Sequence, residues 1–179
     1  MKRTRTLLWF FTATMLVFSL ADIGLAFKNE PEGFRGLKWG DPPTEEMVYL
    51  ATMEGGATLY KLPNEKLHIG DAWFYKIVYS FFGSPERFMR VDLYFYSERN
   101  YKLLESICQG RFGKETSKRF HEHAWMSPQT TVFLTYDMVE DKSGLGLSDW
   151  TIFSEYTEAK KRAEETLKKK EAEEAEEDW

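Results

Sequence analysis

Few residues in this chain could do chemistry. His121 and His123 flank a glutamate in HEHAWMS, and on a strand that alternation turns both imidazoles to one face, a spacing that holds zinc when a third ligand approaches. The remaining histidine, His68, belongs to a different expected hairpin, so no third ligand is evident. Two surface histidines are the simpler reading, and a zinc-binding protein or metal-dependent enzyme using His121 and His123 is the alternative. Cys108 is the single cysteine and sits on an apolar helical stripe, where a thiol is buried and inert. No G-x-S-x-G occurs, and H-E-H is not H-E-x-x-H. GLGLSD at 144–149 precedes a strand instead of a helix, which is a hairpin loop and not a dinucleotide site. Asp137, Glu140, Asp141 and Asp149 crowd one loop; solvated acids are ordinary there, and weak calcium binding is the lesser option. No cofactor is expected.

The elements that must position these groups follow from periodicity. DPPTEEMVYLATMEGG, 41–56, predicts a short helix: Asp41 or Thr44 caps it, Glu45 and Glu46 lie in its first turn, and Gly55-Gly56 stops it. ATLYKLP and EKLHIGD flank a PNEK turn as a small hairpin. WFYKIVYSFF and RFMRVDLYFY alternate strongly and pair through GSPE. With partner numbers summing to 168, Trp73, Tyr75, Ile77 and Tyr79 face Phe95, Leu93, Val91 and Met89 on one side. Lys76, Asp92, Val78, Arg90, Phe74 and Tyr94 then share the other, and a one-residue slip would bury charge. SERNYKLLESICQGRFGKE predicts a second helix capped by Ser97, with Tyr101, Leu104, Ile107, Cys108 and Phe112 on one stripe and Gly113 as its stop. Three extended segments follow, in HEHAWMS, TTVFLTYDM and SDWTIFSEY, the last two separated by the loop VEDKSGLGL.

The fold class is thus α+β, a single domain over 27–157 with a largely antiparallel sheet, two helices on one face, and the order α-β-β-β-β-α-β-β-β. From 158 to 179 the chain turns into a charged helical or disordered tail with pairs such as Glu158 with Arg162. That tail reads first as solubilising and second as an acidic docking segment.

Residues 1–26 predict a cleaved signal peptide. Lys2, Arg3 and Arg5 precede an apolar run, Leu7 to Leu20, of 14 residues, against about 20 for a bilayer span. Cleavage after Ala26 or after Ala21 fits the small-x-small rule. The protein is then periplasmic or secreted, soluble, without a membrane span after cleavage. It is not a lipoprotein, because Cys108 is far from the cut. One cysteine also forbids an internal disulfide, so the exported domain relies on its core. Removing the leader lowers Lys+Arg from 24 to 21 and Asp+Glu from 29 to 28, a net charge of −7. Such a balance excludes nucleic acid as the main partner. Aromatic residues make up 16% of the chain, enough apolar area for one core with some left over.

EGFRGLKWG ahead of the first expected helix, then KLHIGD, an aromatic strand pair, a helix closing on FG and a Lys/Glu-rich end resemble a group of small exported bacterial α+β proteins with a GFRG(I/L)KWG-type segment. In layout the chain is also similar to the outer-membrane-assembly small-protein domain, whose lipidated cysteine it lacks. The resemblance implies export and an α+β domain, and carries no activity. Within the segment, Phe34, Leu37 and Trp39 are expected to lie on the core, with Arg35 and Trp39 as a candidate recognition edge. The aromatics left after the core set is counted, Phe74, Phe82, Phe88, Tyr94 and Tyr96, mark a candidate binding surface. The expected function is a non-enzymatic binding or interaction module for an envelope protein or a small apolar ligand.

Overall fold

The computed structural model describes residues 28–140 and 142–177; the expected leader and Asp141 of the acidic loop lie outside the described residues. The architecture is α+β. Eight strands form one antiparallel sheet in the order β3-β4-β7-β8-β12-β11-β10-β9. They are β3 (Val48–Thr52), β4 (Thr58–Lys61), β7 (Lys76–Phe82), β8 (Arg87–Tyr96), β9 (Ser117–Arg119), β10 (Glu122–Met126), β11 (Thr130–Asp137) and β12 (Lys142–Asp149). Two miniature hairpins stand apart from it, β1 (Gly33–Phe34) with β2 (Leu37–Lys38), and β5 (His68–Ile69) with β6 (Ala72–Trp73).

The central pair β7–β8 explains the rest. Its register sums to 170 from Lys76↔Tyr94 to Ser80↔Arg90, two residues from the expected pairing, and then slips at a bulge so that Phe81 meets Phe88. The parity is the one the alternation demands: Ile77, Tyr79, Val91 and Leu93 are buried, while Lys76 is exposed and Asp92 half-buried. At the bulge Met89 and Arg90 both turn away from the main core, since Phe88 and Val91 are in it and Met89 is not. The expected side for Trp73 and Tyr75 is wrong. The ladder begins only at Lys76, and the break before it reverses the phase: Phe74 is buried, and Trp73 and Tyr75 are exposed.

One face of the sheet carries the core. Helix α1 (Glu98–Phe112) lays Tyr101, Leu104, Cys108 and Phe112 on it, with the Ser97 side chain accepting from the Asn100 amide at its start. Beside α1 runs residues 28–41, a strap tied down at both ends. Lys28 N donates to Phe112 O (3.1 Å), while Gly40 N donates to Phe88 O (3.0 Å) and Phe88 N to Asp41 O (2.7 Å). Phe34, Leu37 and Trp39 pack partly buried against the core, as the sequence implies. Each well-buried apolar side chain contributes roughly 1.5–3 kcal/mol.

The other face is covered at one end by the first turns of α2 (Trp150–Glu177), where Ile152 and Tyr156 bury against Met89 and Ala57, with Phe82 and Phe153 around them. Of the two helices expected on one face only α1 forms, and α2, which begins within the last expected strand, lies on the opposite face. SDWTIFSEY is not a strand: β12 ends at Asp149, whose carboxylate accepts from the Ile152 amide (2.8 Å) and starts α2. Beyond its packed turns α2 is exposed and carries i,i+4 pairs such as Lys160–Glu164 (3.6 Å) and Lys169–Glu173 (3.8 Å).

The helix expected over 41–56 is absent. Pro42 and Pro43 keep the chain extended, Glu45–Glu46 form an isolated turn with Met47 N donating to Thr44 O (3.0 Å), and Val48–Thr52 is a strand. Gly55 and Gly56, the expected helix stop, hold φ of 84° and 87° in the turn of a β3–β4 hairpin. Because β4 pairs with β3 and β7, the expected hairpin around PNEK does not form, and His68–Ile69 pairs with Ala72–Trp73 instead.

Candidate functional site

The open part of the second sheet face carries an aromatic-lined surface. It is a groove of about 470 Å³ lined by Tyr75, Arg90, Asp92, Tyr94, Phe133, Thr135, Asp137, Ser143, Gly144 and Gly146. Tyr75 stacks on Tyr96 with centroids 4.3 Å apart and leans on Tyr94 at 6.2 Å; Lys76 Nζ lies 5.7 Å from the Tyr94 ring. Phe133 is 38% exposed across the floor.

That floor is made of glycine. Gly144 and Gly146 sit in the middle of β12, opposite Tyr94 and Asp92 on β8, with no unusual backbone angle to require them. A Cβ on Gly146 would come within 2.6 Å of Arg90 Nη2, so packing accounts for it; a Cβ on Gly144 would meet only Leu93 O at 3.9 Å. Glycine inside a strand costs about 0.5–1 kcal/mol relative to alanine and marks close approach of another group. Among the described residues nothing makes that approach at Gly144.

Arg90 and Asp92 form the polar centre. Arg90 Nε donates to both Asp92 oxygens (2.9 and 2.8 Å) and Nη2 to Oδ1 (2.5 Å), while the guanidinium lies 5.4 Å from the Phe153 ring of α2. Burial works against the Arg90 charge, but the hydrogen bonds and charge of Asp92 outweigh it and raise its pKa. Burial, followed by the Asp92 charge, also raises the Tyr94 phenol, so the ring stays neutral and serves as a stacking surface with a donor hydroxyl.

Of the candidate binding residues expected from sequence, Tyr94 lines this groove and Tyr96 adjoins it through its stack on Tyr75; Asp137 of the acidic loop also lines it. Phe74 (5% exposed) and Phe88 (0%) are core residues, and Phe82 packs under α2. The break before Lys76 and the bulge moved Phe74 and Phe88 to the side opposite the one that simple alternation assigns, whereas Phe82 keeps its side and is covered there by α2. Arg35 and Trp39 lie on the strap, across the sheet. Arg35 Nη1 binds Glu65 (3.0 Å) and Nη2 donates to His68 O (3.0 Å), while Trp39 stacks on Phe88 at 4.8 Å and donates Nε1–H to Pro31 O (2.8 Å). Tyr75, Phe133 and Gly144 were missed. The signal for Gly144 was present in KSGLGLSD, where Ser143, Leu145 and Leu147 alternate inward against Gly144, Gly146 and Ser148.

The histidine pair lies elsewhere. His121 and His123 both meet the Tyr101 ring edge-on, at 5.6 and 6.0 Å, so they share a face. His123 is buried, with Nε2 3.3 Å from Glu105 Oε1 and Nδ1 3.9 Å from Glu115 Oε1, while Lys118 Nζ bridges the same two carboxylates at 3.1 and 3.7 Å. No three His, Cys, Asp or Glu side chains among the described residues come together so as to hold a metal ion. Asp137 is occupied in its own turn, accepting from the Val139 and Glu140 amides (2.8 and 3.2 Å), and Asp149 caps α2. Burial pushes the Cys108 thiol up to about 12, which makes it a wall residue and not a nucleophile. Among the described residues no helix is long and apolar enough to cross a membrane.

Compared with family models, curated proteins and solved structures, the chain matches none.

Proposed function

We propose that this protein is an exported, non-enzymatic binding module whose recognition surface is the tyrosine-lined groove on the sheet face opposite α1. One observation carries the reading: Gly144 leaves space in the centre of the sheet that no described residue fills, opposite Tyr94 in the groove that Tyr75 and Tyr94 line. Arg90 and Asp92 neutralise each other, so the centre of the groove offers ring stacking and hydrogen bonds, with Asp137 the remaining charged group in its lining. Such a surface suits an apolar or aromatic side chain of an envelope protein, or a small apolar ligand of similar size.

The test fills the floor. Gly144→Leu adds a side chain where there is room and where a strand prefers one, so the melting temperature should hold or rise. A photo-crosslinker at Phe133 should capture a defined partner in the envelope, and Gly144→Leu and Tyr94→Ser should each cut that yield about tenfold. Equal capture by the filled variant would remove the groove from consideration.

A further inference from the structure

A second cavity lies across the sheet from the groove. It has a volume of about 350 Å³ and is partly enclosed between the strap, α1 and β12, with Phe34, Leu104, Ile107, Cys108, Leu145 and Leu147 in its wall. Close-packed interiors hold few voids larger than a water molecule, and a dry-walled space of this size is within the range of ligand sites.

Two guanidiniums border it, Arg35 and Arg111, and they are not equivalent. Arg35 is engaged by Glu65 and by His68 O. Arg111 stands exposed in the last turn of α1, and its side chain has no acidic partner among the described residues; its guanidinium carbon lies 5.7 Å from the Phe112 ring. The strap is held over this end of the helix by Asn29 Nδ2, which donates to Arg111 O (2.8 Å). An apolar chamber with one uncommitted cation at its border has the chemistry of a receptor for an apolar body with a single anionic head. At about 30 Å³ per methylene-sized group, the volume a water molecule claims in the liquid, there is room for a chain of about ten.

We propose that this cavity binds a single-chain aliphatic carboxylate, with the chain under the strap between α1 and β12 and the carboxylate on the Arg111 guanidinium. The site is separate from the groove, which opens on the opposite face.

Calorimetric titration with decanoate and with decanol tests it. Decanoate should bind saturably and more tightly than decanol. Arg111→Gln, a surface change that leaves folding intact, should weaken decanoate about tenfold or more and leave decanol within about twofold. Ile107→Trp should fill the chamber and abolish both, while Gly144→Leu on the other face should alter neither. No saturable decanoate binding, equal weakening of acid and alcohol by Arg111→Gln, or a folded Ile107→Trp protein that still binds decanoate normally would each overturn the proposal. Should Ile107→Trp fail to fold, the acid-against-alcohol comparison in Arg111→Gln decides alone.

Discussion

A few side chains do more than one job here. Glu65 accepts from Tyr79 (2.8 Å) and pairs with Arg35, so one carboxylate joins the GFRG segment to the floor of the core. Burial first, and then the hydrogen bond to Glu65, raise the Tyr79 phenol, so it remains a donor throughout the accessible pH range. Cys108 gives the sharpest residue-scale expectation. With its thiol pushed up to about 12 by burial, against the opposing charge of Arg111, the folded protein at pH 8 should react with a thiol reagent at least about a hundredfold more slowly than the unfolded chain. A folded-state rate near that of a model thiol, followed by absorbance, would show that Cys108 is not enclosed. The inert thiol and the core role of Phe34, Leu37 and Trp39 were legible from residue type and spacing alone. Tyr75 was not, because its side depends on where the β7 ladder begins.

At the scale of elements, the N-terminal half shows how local signals are outvoted. Capping residues and a glycine pair favour a helix over 41–56, but so short a helix is marginal without a packed face. Val48–Thr52 gains ladder hydrogen bonds from β4 instead. The Gly55–Gly56 turn also receives α2: Tyr156 donates its hydroxyl to Glu54 O (3.3 Å), and a Cβ on Gly55 would fall 2.7 Å from Lys160 Cα. Gly55→Ala therefore combines backbone strain with a backbone collision and should cost about 2–3 kcal/mol in denaturant unfolding. Gly56→Ala has similar φ but open space around it, and should cost only the strain, about 1 kcal/mol. Equal effects would mean that α2 does not seat on the hairpin. The SGLGL stretch shows the converse error: two glycines suggested a loop, yet the alternation around them was that of a central strand, and both its neighbours, β8 and β11, are well formed.

For the whole molecule, the antiparallel α+β plan with a charged C-terminal helix follows from composition and periodicity. Export is the remaining whole-chain expectation. Protein recovered from the periplasmic fraction should begin at Phe27, or at Asp22 if the earlier cut is used, by N-terminal sequencing; an intact Met1 start in the cytoplasm would refute it. What the sequence determined by itself was the inventory: which strands are apolar on one side, that Ile77 and Val91 face in while Lys76 and Asp92 do not, that α1 carries a core stripe, and that the last turns are solvated. These are one-dimensional properties, set by side-chain period and polarity. Tertiary structure alone decided the remainder. It set which helix covers which face, where a bulge brings Phe88 into the core and turns Met89 out of it, and that Gly144 opens a groove on one face while the strap encloses a cavity on the other. Those features come from contacts between segments far apart in the chain, and local propensity holds no record of which distant partner will pair with a strand or leave a face bare.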